Sequence, residues 1–237
     1  MQSSSRIAPG SDQTPSKELK TPPPLTSHLL HYSTMTSPPP SKRDGAATRQ
    51  KLLRAGLELF TTVGFRATTT PEIAARAGVA EGTIYRHFSG KEDLLIAAYH
   101  EAQRWGLELV KGPDGDMALP PRDRLLDVAK RLVRAGENDP AMTRMLLRRR
   151  EQGYLDDSAR QAAREFREAL QQIVASGKQD GVVRPGPADL WTSVWLALVA
   201  FAAERVSAKE WSPDHPQVGL TLEAAWDAIS SAGKEKA

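Results

Sequence analysis

Two short helices joined by a tight turn are the feature that most constrains the fold of this chain. The first helix is predicted over 71–77, because Thr70 offers a capping hydroxyl, Pro71 suits the first helical position and an acid follows near the positive end of the helix dipole. Gly78 ends this helix, and a second one is predicted from Glu81 to about residue 88. Such a pair forms a helix-turn-helix, whose second helix fits the DNA major groove.

Longer helices are predicted on either side of this motif. From 46 to 63 the apolar positions recur every three or four residues, and Gly64 follows as a C-terminal stop. The resulting stripe comprises Leu53, Gly56, Leu57, Phe60 and Val63. After the motif, Ser89 and Glu92 have the spacing of a capping box, which opens a fourth helix.

The second helix of the motif has two chemically different sides. Its inward positions join those of the first helix and the turn in an apolar set, namely Ile73, Ala74, Val79, Ile84 and Phe88. Its outward positions are Glu81, Thr83, Tyr85, Arg86 and His87. A cation, a hydroxyl, a phenol and an imidazole suit a surface that touches both base edges and phosphates.

The positive charge of the chain is concentrated in the same region. The 237 residues carry a formal net charge of +3. Residues 42–100 hold nine basic against six acidic side chains, whereas residues 101–237 hold 20 against 21. A phosphate-binding module requires such a local excess of positive charge.

The segment 48–101 resembles the DNA-binding domain of the TetR family of transcriptional regulators. The matching positions are Phe60, Gly64, Phe65, Thr69, Thr70, Ile73, Ala74, Ala77, Gly78, Val79, Gly82, Thr83, Ile84, Tyr85, His87, Phe88, Lys91, Leu94 and Leu95. The resemblance implies an all-α fold with an N-terminal three-helix helix-turn-helix domain over 46–106, the motif itself at about 69–88. It also implies a C-terminal helical domain for ligand binding and dimerisation over 107–237.

The resemblance also implies which residues bind DNA. They are Arg43, Arg49, Thr69, Thr70, Glu81, Gly82, Thr83, Tyr85, Arg86, His87 and Lys91. Among them Thr69, Thr70, Tyr85, His87 and Lys91 would meet phosphates, and Arg43 and Arg49 would clamp the backbone or reach the minor groove. Thr83 and Arg86 would contact base edges, since a guanidinium suits guanine O6 and N7. The alternative for each is a solvated surface side chain.

Two positions depart from the family pattern. Gly56 lies inside the first helix, where the family usually has Ala, and is expected to cost about 1 kcal/mol. Ala80 replaces the hydroxyl residue that commonly precedes the second helix of the motif, so a cap worth about 1 kcal/mol is expected to be missing.

The first 41 residues differ from the rest in composition. They contain eight of the 17 prolines and 14 Ser or Thr, so they bury too little apolar surface to fold, and we predict a disordered tail. A polyproline ligand and a DNA-contacting arm are the alternatives. Met35 lies just before the predicted helices and is a second candidate for the start of the chain.

The second half is predicted to be helical throughout. Proline and glycine breaks leave helices near 122–137, 140–152, 157–178, 187–209 and 216–232. There is no cysteine, the five histidines are scattered, and no Gly-rich phosphate loop follows a strand, so we predict no enzyme activity, no cofactor and no metal site. The longest uncharged apolar stretch has 14 residues, too short for a bilayer, and a soluble cytoplasmic protein is expected.

The helix near 187–209 is apolar around its whole circumference, which predicts burial on all sides. With the last helix it is predicted to form half of a four-helix dimer interface through Trp191, Val194, Leu198, Phe201, Leu222, Trp226 and Ile229. A wholly internal core helix is the alternative. A twofold dimer would set two recognition helices about 34–36 Å apart on a near-palindromic site in double-stranded DNA.

The other apolar residues of this half have two interpretations, core or ligand cavity. The candidate lining is Trp105, Leu109, Leu132, Met142, Met145, Phe166, Leu170 and Trp195. The family resemblance implies an effector pocket here, and the lining suits an apolar or aromatic small molecule. The triplet 148–150 is three arginines, which could bind an anion or simply close a helix.

Together these features predict a homodimeric DNA-binding transcriptional regulator, most simply a repressor released by a small effector. Two other classes compete with it. An architectural DNA-binding dimer without effector would have a filled core, and an enzyme that has kept the DNA-binding module would bury a lone carboxylate or histidine in the larger domain.

Overall fold

The computed structural model describes residues 42–112, 119–147 and 154–231, apart from the side chains of Lys42 and Arg43. The predicted tail, residues 1–41, and the arginine triplet 148–150 lie outside these ranges. Within these ranges eight α-helices follow one another: α1 Lys42–Leu59, α2 Thr70–Ala77, α3 Lys91–Lys111, α4 Pro121–Asn138, α5 Pro140–Leu147, α6 Asp157–Gln179, α7 Ala188–Ser207 and α8 Pro216–Asp227. In the part of the chain described, no strand is present, so the all-α prediction is confirmed.

The helix-turn-helix is present with one difference from the prediction. Its second helix, Glu81–Arg86, is a six-residue 3₁₀ helix rather than an α-helix, and we call it the recognition helix. Gly78 adopts the left-handed conformation (φ 68°) and its N–H bonds the carbonyls of Ala74 and Ala75, which closes α2 as expected.

The helix ends differ in detail from the sequence predictions. Thr69, not Thr70, precedes α2, with Glu72 as its capping partner, and the loop before α3 is closed by Asp93 rather than Glu92. After α1 the chain continues as a π-helical turn, Phe60–Gly64, which rotates Val63 out of the predicted stripe and leaves it 56% exposed. The order of the helices was predictable, but the details of these helix ends were not.

One helix, α3, belongs to both halves of the molecule. Its N-terminal half supplies Leu94 and Leu95 to the core around α1 and α2, and both are fully buried. As a whole, α3 packs chiefly against α6, and Gly106 in its C-terminal half lies against Leu146 of α5. The two predicted domains therefore share a continuous apolar core along α3.

Glycines allow three of these helices to pack at close range. A Cβ on Gly56 of α1 would lie 2.7 Å from Leu94 Cδ2, and one on Gly106 of α3 would lie 2.5 Å from Leu146 Cδ1. On Gly136 of α4 it would lie 2.8 Å from the carbonyl oxygen of Ala203. Gly56 therefore has a packing reason that the sequence did not show. An Ala side chain there would require the buried Leu94 side chain of α3 to shift.

Helix α7 is buried on one face only. Trp195, Val199 and Ala202 are at most 2% exposed, whereas Leu190 and Phe201 are 47% and 45% exposed. The alternative of a wholly internal helix is therefore wrong. By length and composition alone this helix could cross a membrane, but it packs against α4, α6 and α8. Helices in protein cores can be equally long and apolar.

Two residues predicted for the dimer interface belong to the core instead. Leu222 and Ile229 are 5% and 0% exposed within the single chain. Helix α8 ends at Asp227, earlier than predicted, because the following residues pair with the loop after α6, where Ser231 N–H bonds the Val182 carbonyl at 2.9 Å. This pairing turns Ile229 inward, while Leu220 on α8 is 64% exposed.

Replacement of Gly136 by Ala is expected to destabilise the protein. The new methyl group would meet a backbone carbonyl of α7 at 2.8 Å and Ser207 Oγ at 2.9 Å, so α4 and α7 must separate. We expect a loss of about 1–3 kcal/mol from overpacking, larger than the gain of about 1 kcal/mol in helix propensity. Urea unfolding measures this difference.

Gly45→Ala is the matched control, since a Cβ there has its nearest neighbour at 4.0 Å. It should leave stability unchanged or raise it slightly. Equal stability of Gly136→Ala and the unsubstituted chain would show that the α4–α7 contact yields without cost.

Candidate nucleic-acid interface

The recognition helix is fixed to the core by two apolar side chains. Ile84 and Phe88 are 0% and 3% exposed and pack with the residues of α1, α2 and α3. Backbone hydrogen bonds from Thr83 to Ala80 and from His87 to Ile84, both 2.9 Å, close its short turns. Of the positions predicted to point outward, Glu81, Tyr85 and Arg86 are exposed, while Thr83 and His87 are half-buried. Gly82 is exposed as well.

The 3₁₀ geometry aligns residues three apart. With three residues per turn, the side chains at i and i+3 lie one above the other. Thr83 and Arg86 therefore share one edge of the recognition helix, and Gly82 and Tyr85 share another. Open space surrounds Gly82, since a Cβ there would have no neighbour within 4 Å. The two residues predicted to contact bases thus lie together.

The two helices of the motif meet at their exposed polar ends. The Thr70 hydroxyl lies 3.5 Å from the Tyr85 hydroxyl, and the Tyr85 side chain is 57% exposed. A pair of hydroxyls at this distance can present two donors to one phosphate. Both were predicted to contact phosphates, and the structure brings them together.

Lys91 has a role within the protein that sequence reasoning missed. Its Nζ donates to the Phe65 carbonyl at 3.1 Å and to the Thr68 carbonyl at 3.0 Å, and lies 4.6 Å from the centre of the Phe65 ring. Two of its three N–H groups are thus occupied, which leaves one for a phosphate. Lys91 holds the loop that leads into α2, and its phosphate contact stays a prediction.

Thr69 is likewise engaged at the start of α2. Its backbone N–H and its hydroxyl each donate to Glu72 Oε2 at 2.8 Å. These hydrogen bonds, the backbone one first, lower the pKa of Glu72. A hydroxyl has a single hydrogen, and that of Thr69 is donated to Glu72. In this state Thr69 is therefore part of the capping box of α2 and does not donate to a phosphate. Its phosphate contact stays a prediction.

The remaining predicted DNA contacts lie on or against α1. The Arg49 guanidinium stacks 4.9 Å from the centre of the Phe88 ring, so it is held beside the recognition helix. His87 lies next to α1, because its Cε1 atom would be 4.0 Å from a Cβ placed on Gly45. Arg43 is in the first turn of α1, and its side chain lies outside the described part.

A chain of ion pairs connects the DNA-binding half to the rest of the molecule. Glu58 accepts from Arg76 of α2 at 2.6 Å and from Arg54 at 2.9 Å, and Arg54 also pairs with Asp139 at 2.6 Å. Asp139 in turn accepts the N–H of Met142 at 3.0 Å at the start of α5. The sequence had no signal for this arrangement, since Arg54 and Asp139 are 85 positions apart.

These contacts set the pKa of Glu58. Burial alone would raise the pKa, but hydrogen bonds from Arg76 and then Arg54, with their positive charges, outweigh it, so the pKa of Glu58 lies below its ordinary value. For Arg54, burial lowers the pKa and the bonds to Asp139 and Glu58 more than compensate, so it is raised. Both groups are therefore held charged.

A cavity of about 370 Å³ lies in the C-terminal half between α3, α5, α6 and α7. Its lining comprises Tyr99, Gln103, Leu146, Leu147, Phe166, Arg167, Ser193, Leu196, Ala197 and Ala200. Of the eight predicted lining residues, only Phe166 is among them. Polar side chains such as Gln103 were missed because a single glutamine inside a helical pattern carries no periodic signal.

The other seven predicted lining residues have other surroundings. Leu132, Met145, Leu170 and Trp195 are at most 5% exposed and fill the core, which is the alternative interpretation of such residues. Met142 borders a smaller cavity of about 210 Å³ beside the Arg54–Asp139 pair. Trp105 faces an outer groove along α3, and Leu109 packs half-buried against the core. Most of the apolar side chains predicted to line the cavity therefore pack in or against the core instead.

Acidic and histidine residues form no cluster that could bind a metal within the ranges the structure covers. The candidate site is therefore an exposed polar surface on one half of the molecule and a mainly apolar cavity in the other.

Comparison with known proteins matches both halves. Residues 52–98 match the family model described as bacterial regulatory proteins, tetR family. The transcriptional regulator TcmR of Streptomyces glaucescens is 29% identical over 209 residues, which is 83% of this chain and 89% of that protein.

Two solved structures share the fold. A TetR family transcription regulator from Marinobacter aquaeolei superposes with a TM-score of 0.66 at 21% identity, covering 81% of this chain and all of that one. The regulator FadR from Bacillus subtilis, in complex with stearoyl-CoA, gives a TM-score of 0.61 at 21% identity over 76% of this chain and 98% of that one. The likeness extends through the C-terminal helices.

Replacement of Glu58 by Gln is expected to make stability less dependent on pH. Because the pKa of Glu58 is lowered in the folded state, its contribution is present above the unfolded pKa of about 4.3 and is lost as the pH falls through the lower folded value. We expect the variant to lose about 1 kcal/mol at neutral pH, a modest value since both guanidiniums are partly exposed. Urea unfolding at neutral pH and near pH 3 measures it.

Glu108→Gln on α3 is the control, because its pair with Lys111 is exposed and local. It should change stability little at either pH. A Glu58→Gln deficit that is the same at both pH values would contradict the electrostatic explanation.

Proposed function

The chain belongs to the TetR family of bacterial transcriptional regulators, and we propose that it is a DNA-binding repressor that a small molecule releases from its operator. The observation that carries this proposal is the recognition helix, docked by Ile84 and Phe88 with Tyr85 and Arg86 left exposed. Such a rigid mount with a polar outer edge is what reading a major groove requires. In this role we expect a cytoplasmic protein without catalytic activity.

The cavity supports control by an effector over the architectural alternative. An architectural dimer was expected to have a filled core, whereas a partly open cavity of about 370 Å³ lies among α3, α5, α6 and α7, with Ala197 at its exposed side. This is within the range of small-molecule sites. The B. subtilis FadR structure, which has a similar fold, is a complex with stearoyl-CoA, and this supports a small-molecule ligand for this chain.

Helix α3 is the element that would carry the signal. Tyr99 and Gln103 border the cavity, and Leu94 and Leu95 lie in the core beneath the motif on the same helix. An effector that favours one tilt of α3 would move the recognition helix, provided that it binds the two states with different affinity. The Arg54–Asp139 pair is a second link between the halves. Identical separations of the two recognition helices with and without effector would contradict this pivot.

A homodimer would form through the exposed face of α7 and α8. The face carries Leu190 and Phe201 on α7, which are 47% and 45% exposed, and Leu220 on α8, which is 64% exposed. Trp191, Val194, Leu198 and Trp226 are partly buried beside it. Large exposed apolar side chains on neighbouring helices mark an interaction surface. A twofold pair would bind a near-palindromic operator.

Selection of genomic DNA fragments by the purified chain tests the main proposal. We expect enrichment of a short near-palindromic sequence. The Arg86→Ala variant should then bind that sequence about 10- to 100-fold more weakly, with little change for random DNA, because a bidentate base contact is lost. Fluorescence anisotropy with the selected duplex and a scrambled one measures both affinities.

Arg164→Ala on α6 is the control, since this exposed arginine lies on an element outside the DNA-binding half. It should bind both duplexes as the unsubstituted chain does. If Arg86→Ala weakens both duplexes equally, Arg86 contacts phosphate rather than base. Absence of any enriched sequence would contradict the proposed function.

Replacement of Phe201 and Leu220 by Asp is expected to convert a dimer into a monomer. Two carboxylates on this apolar face would lose their hydration on association without gaining a partner. Sedimentation at micromolar concentration measures the change, and circular dichroism checks that the helices persist. Leu119→Asp is the control, because Leu119 is 42% exposed ahead of α4. A monomeric unsubstituted chain would overturn the interface.

A further inference from the structure

The wall of the cavity between α3, α5, α6 and α7 is chemically uneven. Most of its lining is apolar, including Leu146, Phe166 and Leu196. Tyr99 adds a phenol, and three further side chains add polar groups: Arg167, Gln103 and Ser193. Arg167 is the one formally charged side chain among the described lining residues. A neutral hydrocarbon would leave these polar groups without a ligand contact, at a cost in free energy.

Gln103 is the most buried of the three polar groups. Gln103 is 2% exposed, and its Nε2 donates a hydrogen bond to the Leu146 carbonyl at 3.4 Å. This distance is long for a hydrogen bond, and a primary amide has two N–H groups. A buried amide with unused donor capacity beside a cavity indicates that a polar ligand atom completes its bonding.

Arg167 adds the charge that an anion needs. Its guanidinium has five N–H donors in a planar fork, and Arg167 also interacts within the protein. A carboxylate matches that fork with two parallel hydrogen bonds. Since the residue is half-buried, such a bond would be stronger than one in open water.

We propose that the cavity takes an amphipathic carboxylate, with its head at Arg167, Gln103 and Ser193 and its apolar body against Leu146 and Phe166. This inference rests on the proposed function and changes the ligand expected from sequence, an apolar or aromatic molecule, into an anionic one. A coenzyme A thioester of the same acid has no free carboxylate and carries its negative charge on phosphates instead, so it distinguishes a carboxylate site from a phosphate site.

Calorimetric titration of the full chain with dodecanoate, 1-dodecanol and dodecanoyl-CoA tests the proposal. These probes share one hydrocarbon chain and differ in the head group. We expect dodecanoate to bind about 10- to 100-fold more tightly than dodecanol, the range of a hydrogen bond to a charged group. Equal binding of acid and alcohol, no binding of the acid, or binding of the thioester alone would overturn it.

Arg167→Met keeps an unbranched apolar side chain in place of the methylene part of Arg167 and removes the guanidinium and its charge. The variant should lose about 10- to 100-fold in dodecanoate affinity while dodecanol is unchanged. Arg164→Met, three residues earlier on α6 and outside the cavity lining, should affect neither ligand. An equal loss of both ligands in Arg167→Met would mean that Arg167 supports the cavity instead of binding the acid, and would overturn the proposal.

Gln103→Leu provides a second variant with an independent outcome. It should weaken dodecanoate and leave dodecanol the same or tighter, because the lost groups are polar. Unchanged dodecanoate affinity would overturn the role of Gln103.

Binding is measured without DNA, so this proposal and the proposed function fail separately. Arg167-dependent dodecanoate binding that leaves the affinity for operator DNA unchanged would support the ligand class and contradict control by this effector. Equal binding of acid and alcohol, together with release of operator by dodecanol, would support control by an effector and contradict the carboxylate as the ligand class.

Discussion

The burial of α3 along its whole length is the constraint on which the rest of this structure depends. Leu94 and Leu95 anchor its first half under the DNA-binding motif, and Gly106 lets its second half meet Leu146 of α5 at close range. Since a helix is stiff over such a length, its two halves cannot move independently. The same rigid helix therefore borders the cavity and supports the core under the recognition helix.

Polar side chains divide between holding the motif in shape and facing outward. Lys91 holds the loop before α2 through two carbonyls, Thr69 caps α2 with Glu72, and Arg49 stacks on Phe88. Arg86 and Tyr85 remain exposed. A DNA contact requires both classes, because a base-reading side chain is specific only when its mount is rigid.

The apolar character of α7 has two separate causes. One face fills the core through Trp195 and Val199, and the other exposes Leu190 and Phe201. Its all-round apolarity indicated that both faces are covered, but not by what. The cavity is bordered by the same helix through Ser193 and Leu196, so any dimer built on α7 would have the ligand site close to its interface.

The sequence by itself determined the order of the helices and the exposure of Glu81, Tyr85 and Arg86 on the recognition helix, because capping residues, glycine stops and apolar spacing act within a few positions. Only the tertiary structure decided the use of Lys91, the Arg54–Asp139 pair, the burial of Leu222 and Ile229, and the lining of the cavity. Each of these depends on which distant segments meet. Periodicity shows that a side chain is apolar or polar on a face, but not which neighbour that face finds.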